Sequence, residues 1–145
     1  MKNFKVLVVD DEKDFLEMTV KRMKKRNIEC EGVESGEEAI SKLQHEKFDV
    51  VLLDVKMPGM DGVETLREIK RIRPLTEVVM LTGHASVESG VEGMKLGAFD
   101  YLMKPIELDS LLEKLSDAYE KKVIHEEKIE KATYLTNLRF HRGDM

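Results

Sequence analysis

The chain has one cysteine, Cys30, among 145 residues. A single thiol excludes an intramolecular disulfide framework and suits a reducing compartment. No apolar run approaches the roughly 20 residues that a membrane-spanning helix needs. Phe4 to Val9 is apolar but too short for a secretory signal, and acids follow it at once. Basic charge is not in excess either. The formal net charge is −5 with 37% charged residues, so the surface is well solvated and the basic face of a general nucleic-acid binder is missing. There are no internal repeats and no low-complexity segments. His45, His125 and His141 show no metal-ligand spacing. These absences point to a cytoplasmic protein without membrane or direct nucleic-acid contact. The length suits one domain that buries its own core, with an appendage.

What is present is alternation. Phe4 to Val9, Ile28 to Val33, Phe48 to Leu53, Val78 to Thr82 and Ala98 to Met103 read as five short strands. Between them lie helical patterns: from Asp14 with Phe15, Met18, Val20 and Met23; from Ser35 with Ala39, Ile40 and Leu43; over Gly62 to Ile72; from Ser86 with Val87, Val91 and Met94; and from Leu108 with Leu111, Leu112 and Leu115. Ser35 and Glu38 fit a capping box, Asn27 is a stop, Arg73-Pro74 ends the third helix and Gly97 the fourth. Glu29 and Glu31 mark the second strand as an edge. Met18, Met23, Met80 and Met94 are expected in the core, and so is Cys30. Strands alternating five times with helices specify a parallel sheet covered on both faces. The expected class is α/β, flavodoxin-like and doubly wound, with strand order 2-1-3-4-5.

The central strand, Val50-Val51-Leu52-Leu53, is apolar throughout and ends in Asp54. Right-handed crossovers bring all carboxyl ends of the strands to one rim. That rim collects Asp10 and Asp11 from strand one, Asp54 from strand three, Thr82 from strand four and Lys104 after strand five. Clustered carboxylates repel and do not ionise together without a cation. Hard oxygen ligands suit Mg²⁺, which takes one or two carboxylates plus phosphate oxygens. A carboxylate beside such a cation can attack a phosphoryl group and form an aspartyl-phosphate. Lys104 then supplies positive charge and Thr82 a hydroxyl hydrogen bond.

Asp10-Asp11, Asp54 with Met57-Pro58-Gly59-Met60-Asp61-Gly62, Thr82, Tyr101 and Lys104-Pro105 resemble the signature of two-component response-regulator receiver domains. Five separated motifs appear in that family's order, over about residues 3 to 120. The stretch from Leu81 to Leu102 resembles more finely the receivers of the nitrogen-regulator subfamily. The resemblance implies that Asp54 is phosphorylated by a sensor histidine kinase or a phosphotransfer protein. It implies Mg²⁺ held by Asp11, Asp54 and the Lys56 backbone carbonyl, with Asp10 acting through water. It also implies a cis peptide before Pro105, and a switch in which Thr82 and Tyr101 move and reshape the face of helix four, strand five and helix five. Lys56 and His84 stand where the family tunes the lifetime of the acyl phosphate.

Plainer roles exist for several of these residues. An acid pair after a strand often serves a helix N-terminus, Asp61-Gly62 can be a helix cap, and His84 an exposed loop residue. Two other functions compete: an Asp-nucleophile phosphohydrolase or phosphotransferase acting on small substrates, and a receiver-like scaffold that is never phosphorylated. The first wants an acid two residues after the nucleophile, where Lys56 stands. The second should have lost Asp54, Thr82 or Lys104, and all three remain. The protein is thus expected to be no enzyme in the metabolic sense. A receiver over residues 1–120 is followed by a charged tail over 121–145, either disordered or an extension of helix five. A homodimer through the face of helix four, strand five and helix five, or through that extension, is the expected form of self-association. The tail is too short for a helix-turn-helix reader, so the chain either stands alone or is cut from a larger regulator.

Overall fold

The computed structural model describes residues 3–83 and 87–143, without the side chains of 87 and 140–143. Five strands and five helices alternate: β1 (Lys5–Val9), α1 (Lys13–Lys25), β2 (Glu29–Val33), α2 (Gly36–His45), β3 (Val50–Leu53), α3 (Gly62–Ile72), β4 (Glu77–Thr82), α4 (Val87–Lys95), β5 (Asp100–Met103) and α5 (Leu108–Gly143). All strand pairs are parallel, and the sheet order is β2-β1-β3-β4-β5. This is the expected flavodoxin-like α/β fold.

Strand alternation divides the core in two. Leu7, Val9, Val51, Leu53, Val78 and Met80 meet Ala39 and Leu43 of α2 and Leu66 and Ile69 of α3. On the opposite face Val6, Val8, Val50, Leu52, Val79 and Leu81 meet Leu16 and Met23 of α1 and Leu111, Leu115 and Ala118 of α5. Side chains of β3 and β4 are buried on both faces, which is why those strands read as unbroken apolar runs.

Local signals set the helix ends. The Ser35 hydroxyl accepts from Glu38 N at 3.1 Å, and the Glu38 carboxylate in turn accepts from Glu34 N. Asp61 caps α3 by accepting from Glu64 N at 2.9 Å. Asn27 takes a φ of 62° just past α1, the left-handed stop that asparagine tolerates. The Ser86 cap lies outside the described residues.

Two methionines are not where the apolar spacing placed them. On α1 the buried row is Leu16, Thr19 and Met23, and Met18 falls on the far side of the helix, exposed. On α4 the inward positions are glycines. A Cβ on Gly93 would lie 2.6 Å from Met80 Sδ, and one on Gly90 would lie 3.4 Å from the Tyr101 ring. The glycine face of α4 therefore rests on the side chains of Met80 and Tyr101, and Val91 and Met94 face solvent. Met23 and Met80 are buried, and so is Cys30.

Helix α5 runs unbroken from Leu108 to Gly143. Its path over the amino ends of the strands is pinned by Lys122 to Asp49 at 3.0 Å, by Lys121 to the buried Glu77 at 3.4 Å, and by Tyr119 stacked on Phe4. Beyond this, Ile124, Leu135 and Leu138 are exposed.

The loop from Asp54 to Gly62 is the part of the fold that bears on the site. Asp54 N donates to Val9 O and Gly62 N to Val55 O at 2.7 Å. Met57 plugs the core, and Glu37 of α2 accepts from Met60 N at 2.7 Å. A Cβ on Gly62 would fall 2.3 Å from Asp54 O and 2.5 Å from Val55 Cα, so backbone would have to move. Gly62→Ala should cost about 1 to 3 kcal/mol in denaturant unfolding; an unchanged midpoint would show that the loop can yield at no cost.

Candidate functional site

Strand ends deliver the site. Asp10 follows β1 and Asp54 follows β3, and the strands' last residues, Val9 and Leu53, are paired across the sheet. β4 ends in Thr82, and Lys104 follows β5, its N–H donating to Thr82 O at 2.9 Å. Asp10, Asp54 and Thr82 are all buried, Asp54 with 3% of its surface exposed. Burying acids at the mouth of an apolar sheet is costly unless a cation answers them.

The answering group is Lys104. Its side chain is 12% exposed, and Nζ donates to Asp10 Oδ2 at 2.7 Å and to Glu12 Oε1 at 3.3 Å. Burial pulls the Lys104 ammonium down, but the hydrogen bond and charge of Asp10 outweigh this and hold it above its ordinary value. The other Asp10 oxygen accepts from Glu12 N at 2.9 Å. The carboxylates of Asp10, Glu12 and Asp54 offer oxygens that all lie within 4.8 Å of one another.

Asp54 itself is pushed up to about 6, first by burial and then by the charge of Asp10. Lys104 and a hydrogen bond from the Thr82 side chain oppose that rise. Among the described residues Asp54 Oδ1 has no hydrogen-bond partner. A buried acceptor left open beside two further carboxylates is a donor set of hard oxygens, which fits a divalent cation such as Mg²⁺.

The sequence-predicted residues are thus divided. Asp10, Asp54, Thr82 and Lys104 meet in one cluster. Asp11 and Glu12 are both exposed on the rim, and Glu12 takes the third place in the carboxylate group. Sequence reasoning gave Glu12 no role; the only signal for it was a third consecutive acid. Lys56 is exposed beside a groove between α3 and α4, with Asp61, Glu64, Arg67 and Glu88. Tyr101 is half-buried against Gly90 of α4 and the core below it. The Lys104–Pro105 peptide is cis. His84 lies outside the described residues.

Because Asp54 ionises in the fold well above its ordinary 3.8, its charge opposes folding. The stability it contributes is complete below about pH 4 and is lost as pH rises through about 6. In a metal chelator, Asp54→Asn should therefore stabilise the protein at pH 7 to 8 by about 2 to 3 kcal/mol, and the gain should fade toward pH 4. Chemical denaturation across this range measures it, and a pH-independent difference would mean that burial does not set this charge.

Residues 6–116 match the family model of the response regulator receiver domain. Among characterised proteins, the chain is 38% identical over 116 residues to the transcriptional regulatory protein ZraR of Escherichia coli K12, covering 80% of this chain and 26% of that protein. It is 36% identical over 104 residues to the DNA-binding transcriptional regulator NtrC of Salmonella typhimurium, covering 72% and 22%. The chain therefore spans about a quarter of the length of these relatives. Among solved structures, a CheY-like receiver domain protein from Methanospirillum hungatei superposes with a TM-score of 0.82 at 31% identity, over 86% of this chain and 99% of that one. With the strand order and the acidic rim already in place, these matches settle the family: the chain belongs to the response regulator receiver domains, the phosphorylation-activated signalling modules of two-component systems.

Proposed function

We propose that Asp54 is the phosphoacceptor, and that a sensor histidine kinase or a phosphotransfer protein supplies the group. One observation carries this reading. A buried carboxylate, with one oxygen open, stands at the end of the central strand beside a lysine already desolvated and aimed into the same cluster. A carboxylate oxygen of Asp54 forms the new bond to phosphorus as the bond from phosphorus to the donor nitrogen breaks, and that electron pair returns to the donor ring. Mg²⁺ is the cation this donor set fits. Asp54 and Asp11 would hold it with the Lys56 carbonyl, and Asp10 through water; when bound it offsets the charge of the acids and the phosphoryl oxygens. Both Asp11 and Glu12 are exposed, but a Glu12 oxygen lies within 4.8 Å of those of Asp10 and Asp54, so Glu12 is the rival ligand. Lys104 binds a phosphoryl oxygen, leaving Asp10 in part.

The output follows from the same geometry. The Thr82 side chain lies close enough to Asp54 to lower its carboxyl pKa and is placed to follow a phosphoryl group inward. The Tyr101 ring lies against Gly90 of α4, so movement at Thr82 and movement of α4 would act on one aromatic. The phosphorylated state needs only to be bound a few kcal/mol more tightly in one arrangement for the population to shift. The surface that changes would be that of α4, β5 and α5, where Val91, Met94 and Met103 are 49%, 48% and 62% exposed. Exposed apolar side chains grouped on one face suit partner binding or self-association, and the apolar residues of the α5 extension would continue that surface. Lys56 and His84 would tune how long the acyl phosphate lasts. The chain assists its own phosphorylation and dephosphorylation and has no metabolic substrate.

With Mg²⁺ and beryllofluoride or a small acyl-phosphate donor, the wild type should show a modification or shift change that Asp54→Asn abolishes; an unmodified wild type would sink the reading. Lys104→Ala should still take some phosphoryl while the shift changes at Tyr101 and α4 fail to follow. For the metal, Asp11→Ala should weaken Mg²⁺ binding at least tenfold by calorimetric titration, with Glu12→Gln near wild type. The reverse order would assign the ligand to Glu12.

A further inference from the structure

The ammonium of Lys104 has a third neighbour besides Asp10 and Glu12. Its Nζ lies over the ring of Phe15, 4.0 Å from the centroid, inside the range where an aromatic face attracts a cation. Phe15 is the third residue of α1. Side chains of a helix lean toward its N-terminus, and this one leans toward the rim that carries Asp10 to Glu12. The side chain is half-buried and packs against the core between the sheet, α1 and α5, which restricts where the ring can lie. A desolvated lysine therefore sits between two carboxylates on one side and a held aromatic face on the other.

We infer that Phe15 is a positioning residue for phosphorylation of Asp54, holding the Lys104 ammonium at the rim by a cation–π contact; this rests on the reading of Asp54 as the phosphoacceptor. The chemistry favours an aromatic ring over another polar group. Lysine has three N–H donors, and Asp10 and Glu12 each accept one. A further carboxylate would compete with the incoming phosphoryl oxygens and add to the negative charge of the site. The ring attracts the ammonium while committing no strong acceptor, so a donor stays free for the transferred group. It also denies water to the side of Lys104 that faces α1, which strengthens the remaining electrostatic attraction. An aliphatic residue at position 15 would fill the space without attracting the charge.

The test uses the full chain, Mg²⁺ and a small acyl-phosphate donor. No kinase is used, because a change on α1 could also alter kinase docking. Phe15→Leu should slow phosphorylation of Asp54 by roughly three- to tenfold, and Phe15→Tyr, which keeps the ring, should stay within about twofold of wild type. In a Lys104→Ala background Phe15→Leu should cost nothing further, because the effect passes through the lysine. The ε-methylene protons of Lys104 should be shifted upfield by the ring current in wild type and Phe15→Tyr, and return to ordinary values in Phe15→Leu. Equal rates for Phe15→Leu and wild type would overturn the inference. So would the same loss in the Lys104→Ala background, which would mark Phe15 as merely structural. Wild type that takes no phosphoryl at Asp54 removes the functional reading itself, whereas labelled wild type with an indifferent Phe15→Leu removes only this inference.

Discussion

Negative charge held at the mouth of an apolar sheet is the constraint on which this molecule turns. Asp10 and Asp54 follow adjacent strands, β1 and β3, whose side chains over Val6–Val9 and Val50–Leu53 are buried aliphatics. Neither can move away from the other without breaking the pairing of β1 and β3. Their repulsion is therefore permanent, and burial magnifies it. A fold that wanted only stability would place asparagine or glycine there. Lys104 reaches in from the far side of the sheet to answer the charge, 94 residues along the chain from Asp10. Three carboxylates against one ammonium still leave the group negative.

The rest of the architecture keeps that arrangement rigid. The loop after Asp54 is fixed at four points: the Val9 and Val55 carbonyls, Met57 in the core, and Glu37 beneath Met60. Gly62 lets α3 start in contact with the backbone of Asp54 and Val55. On the other half of the rim the contacts are slighter. Val91 and Met94 of α4 face outward and its glycines lie inward against Met80 and Tyr101, so among the described residues this helix brings few large side chains of its own to the core. A helix with two glycines in nine residues also loses intrinsic propensity. Rigidity is thus concentrated where a phosphoryl group would be received, and compliance where a signal would be passed on.

Much of this could be read from the residues alone, for physical reasons that also mark where reading fails. Strands buried on both faces announce themselves as aliphatic runs, and Ser35, Asn27 and Pro74 punctuate the helices, so the order of elements and the rim of Asp10, Asp54, Thr82 and Lys104 follow from periodicity and topology. Asp11 and Glu12 could not be ranked in that way. Both acids are exposed, and which of them reaches the cluster depends on where Lys104 arrives from β5, a contact with no trace in local sequence. Met18 and Met94 were misplaced because apolar character was taken to mark the inner face, whereas Thr19 holds that row on α1 and Gly93 holds it on α4. Phe15 looked like one more core residue; its ring does pack on the core, and only the position of Lys104 shows its second contact. The course of α5 past residue 120 rests on Asp49 and Glu77, which precede it by some seventy and forty residues.

The same electrostatics explain why a resting site of this kind holds its charges in check without neutralising them. A site with balanced charge would bind neither cation nor phosphoryl group strongly. Here an ionised Asp54 is disfavoured by burial and by Asp10, and a divalent cation relieves both at once. Phosphorylation then replaces one carboxylate charge with nearly two on a larger group, deepening the deficit that Lys104 and a cation must meet. Lys104 cannot serve Asp10, Glu12 and a phosphoryl group equally from one position. On the proposed reading, its shift toward the new charge, with Thr82 beside it, would be the step by which a local change in charge becomes a change in packing around Tyr101. The energy for that step would come from the repulsion built into the unphosphorylated rim, so that the strain at rest and the response to phosphorylation would be two aspects of one arrangement.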